Sequence, residues 1–222
     1  MIMRSDPQHL TYLQRWRRMG IFEKLIKWMV EYYATERGGI GWRWQAMDSK
    51  NSPAPVGGAK TGKNPTDRGK LGAKINLLVD QSGAPLKVVL TGANRHDKVS
   101  AIDLIVSVAL KRPAHKEQHL CADKAYDASE VREFAASEGG YTTHIKVNPR
   151  KKESTQSSGQ SSQQEDSHGE LHPARRWVVE RTISWLTKRR SLRTRWSKKA
   201  ENWLALIQLA CAHVLLNLAV FG

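Results

Sequence analysis

The chain has 222 residues, of which 40% are hydrophobic and 26% charged, and its formal net charge is +15 at pH 7. This length supports one main domain with a full core, and the positive charge favours a polyanionic partner, nucleic acid before acidic membrane. Two isolated cysteines, Cys121 and Cys211, exclude a disulfide framework or a zinc site and indicate a cytoplasmic protein.

Two short helices are predicted at the start of the chain. Pro7 follows residues that are typical of a helix start, and Gly20 is a natural end. Apolar residues at helical spacing between Ile21 and Tyr33 predict a second helix. We expect residues 1–40 to form a helical N-terminal segment, which either packs on the core or contacts DNA.

Residues 41–222 show strand and helix patterns typical of an α/β domain. The predicted strands are 42–47, 74–79, 85–90, 118–122 and 141–147, and the predicted helices are 99–110, 128–137, a basic helix around Glu180 and an apolar helix from Ala200. The last helix is as long as a membrane span, but three polar side chains interrupt it and predict a core helix instead: Gln208, His213 and Asn217. A Ser/Gln-rich stretch, 151–170, predicts a flexible loop.

A loop rich in Gly, Pro, Lys and Arg is predicted for residues 51–72. Part of it is similar to a phosphate-binding P-loop, but Asn64 replaces the required Ser or Thr and Pro65 stands where the helix would begin. We therefore exclude a nucleotide site. Five cations in or just after this loop form either a flexible arm on a DNA backbone or a solvated charged surface: Lys60, Lys63, Arg68, Lys70 and Lys74.

Three carboxylates stand out by their surroundings. Asp48 and Asp123 each follow a predicted strand, where ligands gather in α/β sheets. Glu180 is the one acid among ten Lys and Arg residues between positions 172 and 199. A divalent metal ion beside a nucleic-acid backbone would explain a carboxylate in so basic a helix. Two Asp and one Glu suffice to bind two Mg²⁺ ions about 4 Å apart, which can drive phosphodiester transfer.

The residues around these acids are more specific than their spacing. Five short segments occur in a characteristic order, namely Met47-Asp48-Ser49, Thr66-Asp67-Arg68-Gly69-Lys70, Ala93-Asn94-Arg95-His96-Asp97, Ala122-Asp123-Lys124-Ala125-Tyr126-Asp127 and Arg176-Trp177-Val178-Val179-Glu180-Arg181. Together they resemble the DDE transposases of bacterial insertion sequences, in the group of insertion sequence five, over about residues 40–220. The resemblance implies a ribonuclease H-like mixed sheet flanked by helices in residues 41–222. It also implies a catalytic, metal-binding triad of Asp48, Asp123 and Glu180, with two Mg²⁺ ions that Mn²⁺ can replace.

The resemblance also implies DNA contacts near Glu180. Arg176, one turn before Glu180, matches the family's Arg, and Lys188 approximates its Lys, whereas Pro173 replaces its Tyr. By their charge, three neighbouring cations are further predicted DNA contacts: Arg189, Arg190 and Arg193.

The expected function is that of a DNA transposase, which frees a 3′ hydroxyl at a transposon end and joins it to target DNA. Its partners would be double-stranded DNA and further copies of itself, as a homodimer or larger assembly at the nucleoid, with no membrane contact. Two alternatives remain open. One is a metal-dependent nuclease that cleaves without joining, and the other is a catalytically silent DNA-binding relic or repressor.

Several other residues carry two interpretations. His96 and Asp97 could ligate metal, contact DNA or cap the following helix, and Tyr126 with Asp127 more simply closes a turn. Four tryptophans are predicted to pack mostly in the core, with about one facing DNA bases: Trp177, Trp185, Trp196 and Trp203.

Overall fold

The structure, a computed structural model, describes residues 7–106, 110, 113, 116–145 and 175–222. The Ser/Gln-rich segment predicted as a flexible loop, 151–170, lies outside the described residues, as does Pro173.

A mixed β-sheet forms the centre of the molecule. Its antiparallel part consists of β1 (Trp44–Pro53), β2 (Gly62–Lys63), β3 (Leu71–Asp80) and β4 (Pro85–Gly92). Two further strands, β5 (Gln118–Ala122) and β6 (Tyr141–Ile145), continue it in parallel from β1. The strand order is β2-β3-β1-β5-β6, and β4 also pairs with β3.

Helices cover both faces of the sheet, as the predicted fold class requires. They are α1 (Pro7–Arg18), α2 (Ile21–Glu36), α3 (Lys98–Val106), α4 (Ser129–Ser137), α5 (Trp177–Thr187), the short α6 (Arg190–Arg193) and α7 (Ala200–Phe221). Side chains alternate along β1, so Ala46 packs in the core beneath α5 and α7 while Met47 packs in the core beneath α3 and α4. The prediction of a mixed sheet flanked by helices is confirmed.

Helix α7 is long and apolar enough to cross a membrane by length and composition, and half of its most apolar window is buried. Trp203 and Ile207 pack in the same core as α5. Farther along, Ala212 and Leu215 contact the core that contains Val30 of α2. The helix therefore packs as a core element, as predicted, and it holds the N-terminal helices to the sheet.

Several predicted boundaries differ from the structure, and the end of β1 differs most. Strand β1 runs on to Pro53 because its second half keeps pairing with β3, as far as the pair Pro53 and Gly72. The predicted loop 51–72 thus includes strand residues at both ends and the two residues of β2. The basic helix ends earlier than its composition indicates, at Thr187, and α6 follows after a residue with extended backbone, Arg189.

A buried carboxylate organises the turn between β3 and β4. Asp80 is fully buried and accepts hydrogen bonds from the backbone N–H groups of Gly41, Ser82 and Ala84 and from the Tyr33 hydroxyl. Burial raises the pKa of Asp80, while these four donors favour its ionised form. The carboxylate therefore joins α2, the segment before β1 and the turn in one contact.

Replacing Asp80 with Ala should lower the free energy of unfolding by on the order of 3 kcal/mol or more, because each buried donor left without an acceptor costs about 1–3 kcal/mol. Chemical denaturation followed by circular dichroism measures this change. Asp67→Ala is the matched control, since that side chain is 40% exposed in a 3.9 Å ion pair with Lys70 and should change stability by less than about 1 kcal/mol. Equal effects of the two substitutions would contradict the role given to Asp80.

Candidate active site

Asp48 and Asp123 lie at the same edge of the sheet. The parallel pairing of β1 with β5 ends with the pair of Ala46 and Cys121, and each of these residues lies two positions before an aspartate. The two strands part there. Asp123 follows β5 directly, as predicted, whereas Asp48 lies inside β1 and still pairs with Leu77 of β3. The prediction that Asp48 ends a strand is wrong, because β3 continues to hold β1 beyond β5.

Helix α5 brings Glu180 to these aspartates, and Arg176 connects the acids. The Arg176 guanidinium donates from Nη1 to Oδ1 of Asp123 at 3.2 Å and from Nη2 to Oε1 of Glu180 at 2.9 Å. Since Arg176 and Glu180 are four residues apart, they lie on one face of the helix region. The single guanidinium thus bridges an acid on the helix and an acid on the sheet.

The position of α5 is fixed by the turn between β3 and β4. Thr182 donates its hydroxyl to the carbonyl oxygen of Gly83 at 2.8 Å, and Arg181 donates to the carbonyl oxygen of Ser82 at 2.8 Å. A Cβ atom at Gly83 would lie 2.7 Å from the Thr182 hydroxyl, so only glycine permits this approach. Gly83 also has a φ of 87°, which disfavours other residues.

Asp48 is the third acid of this cluster. Burial raises its pKa, and the charges of Glu180 and Asp123 raise it further, while the Ser49 backbone N–H and the Arg176 charge lower it. The three carboxylates therefore repel one another, and one guanidinium offsets only part of their charge. An additional cation would be favoured at this position.

The donor set fits a hard divalent cation such as Mg²⁺ or Mn²⁺, since all three side chains offer carboxylate oxygens. As placed, however, no three His, Cys, Asp or Glu side chains among the described residues are close enough to hold a metal ion. Arg176 occupies the space between two of the acids instead. Binding of a metal ion by Asp48, Asp123 and Glu180 therefore stays a prediction.

A buried ion pair lies behind Asp48. Lys74 Nζ donates to Asp97 Oδ1 and to the carbonyl oxygen of Arg95, both at 2.7 Å, and the Ser49 hydroxyl donates to the same Asp97 oxygen at 2.7 Å. Lys74 is only 6% exposed, so its predicted contact with a DNA backbone is wrong. It lies in β3 and neutralises Asp97. The Asp97 carboxylate thus forms an ion pair with Lys74 instead of capping the following helix, which was one of the roles considered for it.

Tyr126 completes the surroundings of the acids. It is fully buried in the short helical turn Lys124–Tyr126 after Asp123, as the predicted turn requires. Burial raises the pKa of Tyr126 well above its ordinary value, and the charges of Asp97 and Asp48 add to this effect. Its hydroxyl stays protonated and lies among the carboxylates.

The order of these elements agrees with a comparison of the whole chain with known families. The family model described as "Transposase DDE domain" matches residues 43–215. The chain belongs to this DDE transposase family. The matched range runs from the start of β1 into α7 and contains Asp48, Asp123 and Glu180.

Individual relatives are transposases as well. The chain is 32% identical over 166 residues to the putative transposase for insertion sequence element IS402 of Burkholderia cepacia, covering 72% of this chain and 71% of that protein. It is remotely similar to the crystal structure of the catalytic domain of Mos1 mariner transposase, with a TM-score of 0.35 and 11% identity over 93% of this chain and 96% of that one. A Mos1 paired end complex with Mn gives a TM-score of 0.33 and 16% identity over 86% of this chain and 61% of that one.

The basic segment of this DDE transposase between β1 and β3 is fastened to the rest of the domain. Lys60, Lys63, Arg68 and Lys70 are exposed there. The left-handed backbone at Lys60 and Arg68, with φ of 54° and 49°, marks tight turns. Gly58 approaches Lys198 so closely that a Cβ atom would lie 2.2 Å from its carbonyl oxygen. This contact holds the start of the segment against the rest of the domain, which favours the alternative of a charged surface over a free arm.

Arg195 makes this attachment, and the sequence analysis missed it. Although it carries a charge, it is fully buried and donates to the carbonyl oxygens of Ser197, Lys60 and Lys198. Its guanidinium also lies 5.7 Å from the ring centre of Trp203. In a run of ten cations nothing in the local pattern distinguishes a buried arginine from an exposed one.

The remaining predicted DNA contacts of the transposase lie on α6 and on the two residues between α5 and α6. Lys188, Arg190 and Arg193 are exposed. Arg189 is partly buried and binds the Trp185 carbonyl oxygen at 3.1 Å and the His213 ring at 2.9 Å, so part of its role is structural.

The tryptophans differ from the prediction of mostly core packing. Trp203 is buried and Trp185 packs against the core, but Trp177 and Trp196 are 57% and 67% exposed. Arg181 lies over both Trp177 and Trp185. Two indole rings, rather than one, are therefore available on the basic side of the transposase domain.

Replacing Arg195 with Leu should destabilise the domain by on the order of 3 kcal/mol, because three partly buried carbonyl oxygens lose a charged donor. Arg195→Lys should recover little, since an ammonium group cannot form the same fork. Arg190→Leu is the control at an exposed position and should change stability by less than about 1 kcal/mol. Thermal and urea denaturation measure both. An unchanged midpoint for Arg195→Leu would refute the anchoring role.

Proposed function

We propose that this chain catalyses metal-dependent cleavage of DNA strands at transposon ends and transfer of the freed 3′ hydroxyl into target DNA. One observation carries the proposal: in a member of the DDE transposase family, one guanidinium bridges a carboxylate after β5 and one on α5, and a third carboxylate, on β1, lies near enough to interact electrostatically with all three groups. The three acids are Asp48, Asp123 and Glu180.

The carboxylates would hold two Mg²⁺ ions, with Mn²⁺ as a substitute. When bound, such ions neutralise the charge of the phosphodiester and lower the pKa of the attacking water or hydroxyl. The mutual repulsion of the acids and the raised pKa of Asp48 support a cation here.

The chain's own residues prepare this arrangement. Arg176 holds Asp123 and Glu180 near each other and offsets part of their charge. Behind them, the pair of Lys74 and Asp97 fixes the hydroxyl of Ser49, whose backbone N–H donates to Asp48 at 2.7 Å. Each acid is therefore oriented by a partner before any substrate arrives, as preorganised catalysis requires.

The substrate would be double-stranded DNA, both as transposon end and as target. The exposed cations of the segment between β1 and β3 and of the α5–α6 region would contact its phosphates without reading sequence. We propose that the protein acts in the cytoplasm at the nucleoid, as a homodimer or larger assembly, because transposon ends must be held together during joining. A nuclease without joining activity is separated from this proposal by a strand-transfer assay.

Glu180→Gln should abolish metal-dependent nicking and joining while folding and DNA binding survive. The amide keeps the size and helix propensity of the side chain but removes the charge that binds a cation, so both reactions should fall by at least about 10³-fold. DNA binding should stay equal or tighten slightly, as one repulsion of phosphate disappears. Cleavage and joining of duplex DNA in Mg²⁺ measure the effect.

Glu130→Gln serves as the control for this variant. Glu130 is exposed in the first turn of α4, and its ion pair with Lys98, at 4.0 Å, lies at the surface. This control should retain parental activity. Parental activity in Glu180→Gln would refute the catalytic assignment, and a large loss of stability would assign Glu180 to structure instead.

DNA affinity should fall steeply with salt, with a log-log slope of about −0.9 for each neutralised phosphate. Lys63→Glu and Arg190→Glu should each reduce the magnitude of the slope by about 1 or more. Lys116→Glu is the control, because Lys116 is exposed before β5, at the end of that strand away from Asp123. Fluorescence anisotropy over a NaCl series gives the slopes. A slope that no substitution alters would show that neither surface faces DNA.

A further inference from the structure

A polar cavity lies between β1 and the end of α5. It has a volume of about 290 Å³ and is lined by Lys50, Asn51 and Ser52 of β1, by Ser184 and Thr187 of α5, and by Lys188 and Arg193. We call it the strand–helix pocket. None of its lining residues is acidic, and three of them are cations.

The position of the strand–helix pocket follows from the elements that carry the acids. Lys50 is two residues beyond Asp48, so it lies on the same face of β1, roughly 7 Å farther along at 3.3 Å per residue. Ser184 is four residues beyond Glu180, which places it one turn and roughly 6 Å farther along α5. Lys50 and Ser184 therefore line the pocket at about the same distance from the carboxylates, one along β1 and the other along α5.

Two hydrogen bonds join the end of β1 to residues in and just after α6, next to the pocket. The Ser52 hydroxyl donates to the carbonyl oxygen of Leu192 at 3.1 Å, and the Arg195 backbone N–H donates to that of Pro53 at 2.8 Å. These bonds hold the end of β1 against α6, and thus set the spacing between Lys50 and Arg193. The backbone positions from which the exposed side chains of Lys50 and Arg193 extend are therefore set by the fold.

The charges of the pocket have no acidic partner in the part of the chain that is described. None of Lys50, Lys188 and Arg193 forms an ion pair there, although pairs form at other sites such as Lys74 with Asp97. The Asn51 side-chain oxygen is buried and accepts no hydrogen bond from the described residues.

We propose that the strand–helix pocket binds a backbone phosphate of the DNA strand whose neighbouring phosphodiester lies at the carboxylates. This inference rests on the proposed function and extends it from a general basic surface to one built subsite. Three cations and a serine hydroxyl match the oxygen atoms of a phosphate. A displacement of roughly 6–7 Å matches the spacing of neighbouring phosphates along one strand, because the backbone winds around the helix axis and its path per nucleotide is longer than the axial rise of about 3.4 Å. The subsite would therefore set which bond of the strand meets the carboxylates.

The test uses the full chain and a duplex of arbitrary sequence, about 30 base pairs long, without divalent metal. Ser184→Leu fills the pocket without changing any charge, and should weaken DNA binding about tenfold if a phosphate enters. Ser191→Leu is the matched control, since Ser191 is exposed on α6 but does not line the pocket. Under a general electrostatic attraction, both variants would bind as the parent does, which would overturn the proposal.

Charge variants provide an independent readout if Ser184→Leu fails to fold. Lys50→Gln and Arg193→Gln should each reduce the magnitude of the salt slope by about 0.9, the value for one phosphate contact, while Lys116→Gln should leave it unchanged. Equal slopes for all three variants would refute the subsite.

The two proposals fail in different ways. Glu180-dependent cleavage together with unaltered binding by every pocket variant would refute the subsite and leave the proposed function standing. Weakened binding by the pocket variants, in a protein that does not cleave DNA in Mg²⁺, would support the subsite and refute the proposed function.

Discussion

The contact between α5 and the turn from β3 to β4 determines where the carboxylates meet. Glu180 belongs to a helix, and a helix can slide over a sheet unless specific contacts fix its register. Here the close approach at Gly83 and the hydrogen bond from Thr182 fix it. The turn is itself held by Asp80, which ties it to α2. The geometry of the acids therefore depends on a buried carboxylate outside the candidate active site.

The candidate active site holds more negative charge than its surroundings neutralise, inside a strongly positive protein. Asp48 is raised in pKa by burial first and by the other two acids next. Arg176 compensates Asp123 and Glu180 directly, and Lys74 compensates Asp97 behind them. The excess negative charge is confined to these acids, and the exposed cations around them are positioned to attract phosphate. A polyanion can thus be drawn to the site although the site itself repels it.

Much of the fold was accessible from the sequence because its signals are local. The hairpin of β3 and β4, the strand before Asp123 and the helix bearing Glu180 follow from apolar periodicity and turn residues, and the segments around the acids led to the family. The extension of β1 was missed because its second half is polar and is held by pairing with β3. The partnership of Arg176 with Asp123 spans 53 residues and has no local signal.

A count of basic residues does not tell which of them are exposed and which are buried. Lys74 and Arg195 look like their neighbours in sequence, yet both are buried and bind carbonyl oxygens of the chain itself. Burying a cation is costly unless it is paired or hydrogen-bonded, so these two residues mark places where the fold requires a fixed contact. Lys74 fixes the surroundings of Asp48, and Arg195 fixes the basic segment and one wall of the strand–helix pocket. The buried cations thus position exposed ones, and under the proposed function the net charge would act on DNA through surfaces that they hold in place.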